Sequence, residues 1–220
     1  MLAPGSAVVV DRVSQEVLAG ARAIGLRARV LPGISSIETV LAAMEHDASA
    51  GVQVVLAQTL VLEQRKLDRT IAAIVLQPAY YDTLFFAGAP RSREGRFDLL
   101  AERLGASWSE RAPMALVITP SEPGTDPSVF WLRLARLPRL HAAISPRHTL
   151  FIPPEREAPR DAAFASRIAS WDELLPRIDL DPAGRVRQQS REAAFGTLEV
   201  ATDLRAESAE LAETWRTRAR

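Results

Sequence analysis

The hexapeptide Leu31-Pro-Gly-Ile-Ser-Ser36 constrains this chain more than any other stretch. It closes the apolar segment 27–31 and opens a helical one, 35–44. A strand that stops at Pro-Gly and turns into a Ser-capped helix leaves backbone N–H groups and two hydroxyls at one edge of a sheet. Helix N-termini of this kind suit an anionic or strongly polar ligand. A plain structural turn is the competing reading, because Pro-Gly turns are common.

The remaining composition sets the class. At 220 residues the chain is one large domain or two small ones, long enough to bury a real core. Its 47 % apolar and 25 % charged residues are those of ordinary globular protein. Formal net charge is zero and the pI is about 6.9, so no basic field favours nucleic acid or an anionic membrane. Lys66 is the only lysine, and there is no cysteine, which excludes disulfides, zinc-thiolate sites and a thiol nucleophile. No apolar run approaches the ~20 residues that span a bilayer, and the N-terminus lacks the basic-then-apolar layout of a secretory signal. The expectation is a cytoplasmic protein without a nucleic-acid or membrane partner.

Strand-like and helix-like stretches alternate. Residues 14–24 predict a helix with Val17, Leu18, Ala21 and Ile24 on one face and Gly25 as its stop. Residues 26–31 read as a buried strand and 37–44 as an amphipathic helix. From Gly51 the texture becomes β-rich, with runs at 52–62, 71–76, 114–119 and 148–153. A helix over 97–104 follows the polar loop 88–96 and stops at Gly105. Residues 121–127 are a loop, and 128–137 fit strand or helix, limited by Pro138. The fold class is α/β: a partial parallel unit over 1–50, a mixed-sheet α+β domain over 51–154, and a linker with a helical tail over 155–220. In the tail, Leu204, Leu211 and Trp215 are too sparse for a core, and a helix that packs on a partner or a second copy is the preferred reading over disorder.

Chemistry-bearing residues are scattered. His46, His141 and His148 have no helical i, i+4 partner and no carboxylate at ligand spacing, so no metal is expected. There is no G-x-S-x-G elbow, P-loop or G-x-G-x-x-G run. Tyr80 and Tyr81, after the run 71–76, are weak catalytic candidates, since hydroxyls there could orient an amide or stabilise developing charge. An aromatic pair that seals an interface is the alternative.

Gly5-Ser6-Ala7, then Leu31-Pro-Gly-Ile-Ser-Ser36, then Gly51 opening a β-rich domain form an ordered series. The series resembles the tetrapyrrole methylase superfamily, whose S-adenosylmethionine-dependent members place a Gly-Asp-Pro-type turn before a Pro-Gly-Ile/Val-Ser/Thr-Ser/Ala turn. Arg27-Ala-Arg-Val-Leu-Pro-Gly33, Ile74-Val-Leu-Gln77 and Thr149-Leu-Phe-Ile-Pro-Pro154 are similar, in order, to runs of the borosin-type branch that N-methylates peptide backbones. The resemblance spans about residues 4–154. It implies a cleft for S-adenosylmethionine, with Gly5, Ser6 and Val9 at its methionine end, Ser35 and Ser36 beside it, and Gln77 near the adenosine. It implies in-line methyl transfer to a peptide or small-molecule substrate, aided mainly by positioning and water exclusion.

Two departures accompany it. The Gly-Asp-Pro turn reads Gly5-Ser6-Ala7, without carboxylate or proline. Met1 falls where the family's first domain is already half built, so its opening strands would lie upstream. A mistaken start, a second polypeptide that completes the site, and a degenerate binding or dimerisation module are the three explanations. A homodimer or a completing partner is expected, and no repetitive apolar stretch marks a self-methylated core peptide.

Overall fold

Residues 72–76 are apolar at every position and buried at every position, which is how a strand covered on both faces reads. The computed structural model describes residues 9, 12–31, 33, 35–82, 93–120 and 125–167. The elements run α1 (Arg12–Ala23), α2 (Ser36–Ala43), β1 (Val52–Leu56), α3 (Ala57–Leu62), β2 (Ala72–Leu76), α4 (Asp98–Gly105), β3 (Pro113–Ile118), β4 (Ser128–Arg133), β5 (His148–Ile152) and α5 (Ala162–Ala165). The chain divides into two units, Met1–Leu18 with Arg27–Pro159, and Ala19–Leu26 with Arg160–Arg220.

The first unit holds one mixed sheet of order β1-β2-β5-β3-β4. β1 and β2 are parallel, while β5 is antiparallel to β2 and β3, and β4 is antiparallel to β3. Period-2 alternation sends Val75, Met114, Leu150 and Ile152 to one face, against Leu60 of α3, Leu100 and Leu104 of α4, and Trp108. Ile74, Ala115, Val117 and Phe151 go to the other face, where Val40, Ile37 and Leu41 of α2 lie, joined by Val9. In the second unit, Gly25 ends α1 at φ +74°, and the Asp161 carboxylate caps α5 by accepting from the Phe164 N–H at 3.0 Å.

The mixed sheet and three of its strands match expectation, and three local readings are corrected. The run 52–62 is strand only to Leu56; it then becomes α3, because pairing with the five-residue β2 ends at Leu56 opposite Leu76. Residues 26–31 form no strand, since none of the five strands pairs with them, and Leu31 is 71 % exposed. The helix predicted over 14–24 is present as α1; of its apolar stripe Leu18 and Ala21 are half-buried, while Val17 is 47 % and Ile24 73 % exposed. Periodicity identifies an apolar face but not the partner that would bury it. The segment 128–137 is strand and then a 3₁₀ run, Leu134–Leu140, which contains Pro138 rather than stopping at it. The i→i+3 geometry avoids the ring clash with carbonyl i−4 that an α-helix would impose. The predicted helical tail, with Leu204, Leu211 and Trp215, lies outside the described residues.

Candidate functional site

Open α/β sheets bind ligands outside the carboxyl ends of their parallel strands. β1 and β2 end at one edge of this sheet, with Leu56 opposite Leu76. Gln77 leaves β2 there. Its backbone is left-handed, φ +53° and ψ +48°, and it introduces a 3₁₀ turn, Pro78–Tyr80. A left-handed conformation costs a non-glycine residue about 1–2 kcal/mol, and such positions concentrate at functional sites. The register that sets Val75 opposite Leu150 brings the start of β5, His148, to the same edge. The His148 Nδ1 accepts from the Ser145 N–H at 3.0 Å, so its proton sits on Nε2. Burial holds its pKa below the ordinary value. A neutral imidazole whose proton sits on Nε2 offers that N–H as a hydrogen-bond donor at neutral pH.

The turn after Gln77 is fixed from beneath. Arg96, 1 % exposed, donates from its guanidinium to the Ala79 carbonyl and to Asp82, with Nη2 at 2.9 Å and Nε at 3.2 Å from the carboxylate. The Tyr81 hydroxyl donates to the Arg96 carbonyl, and its ring lies 5.8 Å from that of Phe97. Burial, then the neighbouring Asp82 charge, push the Tyr81 phenol pKa up, so it stays protonated. Tyr80 is half-buried against the same core. Both tyrosines therefore brace the turn in this geometry.

On the opposite face, α2 begins with a capping box. The Ser35 hydroxyl accepts from the Ile37 N–H at 3.2 Å and donates to the Glu38 carboxylate, which in turn accepts from the Ser35 N–H at 3.0 Å. Ser35 is buried and Ser36 exposed. The Ser-x-x-Glu spacing carries this arrangement in the sequence. Its consequence is electrostatic: the Glu38 carboxylate adds negative charge at the helix N-terminus where an anionic or strongly polar ligand is expected.

The Ser35 hydroxyl bond, with backbone donors, holds the Glu38 pKa below the usual carboxylate value. A depressed folded-state pKa gives stability that is complete above the unfolded value near 4.3 and lost as pH falls through the lower folded value. Ser35→Ala should cost about 1 kcal/mol at neutral pH and flatten the acid limb below about pH 4.5, in urea melts collected across that range. Identical acid limbs for the two proteins would separate Glu38 from the cap.

Of the residues matched to the family cleft, Gly5 and Ser6 lie outside the described residues. Val9 and the helix that Ser35 caps share one apolar cluster with Leu76, which directly precedes Gln77. His46 packs edge-on against Phe151 with ring centroids 5.4 Å apart, and His141 stands on the loop after the 3₁₀ run. Sequence reasoning missed the role of Arg96 and the position of His148 beside Gln77. Only the β2–β5 register carries the second. Among the described residues no group of three His, Asp or Glu could hold a metal, and no helix is long and apolar enough to cross a membrane.

No protein-family model matches the chain, and no curated protein matches it significantly. Solved structures do. Uroporphyrin-III-C-methyltransferase from Thermus thermophilus superposes with TM-score 0.50 at 21 % identity, over 68 % of this chain and 61 % of the enzyme. The methyltransferase CobJ gives TM-score 0.48 at 14 % identity, over 71 % and 65 %. The Thermus enzyme complexed with S-adenosylhomocysteine gives 0.43 at 22 %, over 68 % and 62 %. The fold is thus tetrapyrrole-methylase-like, and the chain spans about three-fifths of the length of the structures it matches.

Proposed function

We propose that this chain is an S-adenosylmethionine-dependent methyltransferase domain that acts on a peptide backbone or a small molecule bearing an amide or carbon acid. The fold likeness to the Thermus methyltransferase is the observation that carries the reading. The donor set fits such a cofactor. Gln77 offers amide donor and acceptor groups for a nucleobase at the carboxyl edge of β2, and Val9 an apolar wall. The Glu38 carboxylate at the start of α2 suits a positively charged group. The bound cofactor would supply an electrophilic methyl on a sulfonium, already a good leaving group.

The residues of the chain then have positioning to do. His148 Nε2–H, at the same edge as Gln77, can donate to the oxygen of a substrate amide and orient it toward the methyl donor. Gln77, strained and preceded by a rigid buried strand, holds its groups without rearrangement on binding.

Calorimetric titration of the full chain with S-adenosylhomocysteine tests the reading. Micromolar binding, about −8 kcal/mol, is expected, weakened at least tenfold in Gln77→Ala with an unchanged circular dichroism spectrum. The exposed apolar edge of β4 favours a second reading, a non-catalytic dimerisation or peptide-binding module. Absence of heat with the chain alone, and with an upstream-extended version, would leave that module as the answer.

A further inference from the structure

The end of the sheet remote from Gln77 carries a cleft of about 340 Å³, lined by Lys66, Asp68 and Arg69 from the loop before β2, by Ser107 after α4, and by Arg156 after β5. Antiparallel pairing brings these segments together. Ala73 opposes Ile152, so the residues that enter β2 lie beside those that leave β5. The Glu155 and Arg156 N–H groups donate to the Arg69 carbonyl at 2.9 and 3.4 Å. The Leu67 N–H donates to the Ser107 hydroxyl oxygen at 3.3 Å and ties the third segment to the first. The five residues of β2 separate the cleft from the Gln77 edge, about 17 Å at ~3.3 Å per residue.

The lining favours negative charge, with three cations against one carboxylate. Lys66 and Arg156 make no ion pair among the described residues, and Arg69 makes only a loose one, its Nη1 3.7 Å from Glu155. Glu155 is engaged elsewhere, accepting from the Ser109 N–H at 3.1 Å. The Asp68 carboxylate is likewise occupied, accepting from the Thr70 N–H at 2.8 Å. Hydrogen bonds from the Thr70 backbone, then from its hydroxyl, hold the Asp68 pKa below the usual carboxylate value. The Ser107 hydroxyl, which accepts from Leu67, keeps its own proton to donate. At the end of α4 the Leu104 carbonyl already accepts from the Ser107 and Trp108 N–H groups at 3.0 Å, so it does not oppose an anion with an unpaired oxygen. Arginine forks, a lysine point charge and a hydroxyl are the donors that match phosphate oxygens, and three cations match the charge of a paired phosphate. Leu67 and Ala106 supply the apolar lining, too little for a nucleobase or an acyl chain, and the volume is at the small end of ligand pockets, ~300–1,000 Å³.

We propose that this cleft binds a small molecule carrying two phosphate groups, a diphosphate or a bisphosphate ester, through Lys66, Arg69, Arg156 and the Ser107 hydroxyl. The site is independent of the cofactor reading, which concerns the opposite end of the sheet. Calorimetric titration of the full chain with inorganic pyrophosphate tests it. Saturable binding tighter than about 0.1 mM is expected in dilute salt, weakened by added chloride. Lys66→Ala and Arg156→Ala should each lower the affinity at least tenfold. Arg65→Ala removes the same charge from the adjacent position, where it pairs with Glu63 outside the cleft, and should leave binding unchanged. A second readout needs no substitution. Lys66 carries the only lysine amine of the chain, so pyrophosphate should slow its acetylation by acetic anhydride severalfold, read by peptide mass spectrometry. Tighter binding of a sugar bisphosphate than of pyrophosphate would assign an ester, and the reverse order the free diphosphate. Absence of saturable heat up to about 5 mM, equal affinity for citrate, or an equal loss in Arg65→Ala would overturn the proposal.

Discussion

Arg96→Met should lower the unfolding free energy by about 3 kcal/mol, at the low end for breaking a buried ion pair. The guanidinium is 1 % exposed, and its partner's side chain 20 %, so part of the Asp82 charge can still be hydrated after the substitution. What remains costly is the Ala79 carbonyl, which loses its donor beneath the 3₁₀ turn. For a chain of this size the shift in melting temperature is roughly 6–12 °C. The double variant Arg96→Met/Asp82→Asn should recover part of the loss, because it removes the orphaned charge along with its partner. Urea melts with unchanged slope would report the effect. A loss below about 1 kcal/mol for the single variant would mean that Arg96 does not hold the turn. Because that turn sets Gln77, the same variant should weaken S-adenosylhomocysteine binding, a consequence that stability alone does not require.

Gly51→Ala should cost about 3 kcal/mol through two separable causes. Gly51 enters β1 at φ +95° and ψ +136°, a conformation that costs an L side chain about 1–3 kcal/mol. A Cβ there would also meet the Ile71 Cγ2 at 2.7 Å, across the start of the β1–β2 pair. That methyl is fixed by β-branching and cannot swing aside as the end of a flexible chain would. Overpacking of this kind costs about 1–3 kcal/mol. In an Ile71→Leu background, which lacks the branched methyl, Gly51→Ala should cost only the backbone part, about half as much. Equal penalties in both backgrounds would assign the whole effect to φ. No penalty in either would refute both causes.

These two positions bracket what could be read without a structure. Gly51 announces the β-rich region in the sequence, and residues 71–76, 114–119 and 148–153 become β2, β3 and β5 within a residue or two. Such strands are legible because burial on both faces makes nearly every position apolar, His148 and Thr149 at the start of β5 excepted. The Ser35 cap is legible because capping is a contact between residues three apart. Arg96 is not: nothing in its neighbourhood distinguishes it from the other arginines, and only the turn at Ala79–Asp82 makes its burial favourable.

The chain by itself determined the elements whose causes are local: the apolar strands, the capped start of α2, and the glycine that begins β1. Tertiary structure decided where the run 52–62 leaves the sheet, which apolar stretches find no cover, and that Gln77 and His148 share an edge. The division follows from range. Propensity, capping and turn chemistry act over a few residues. Strand register, burial and the pairing of a distant charge act through contacts that exist only once the sheet has formed.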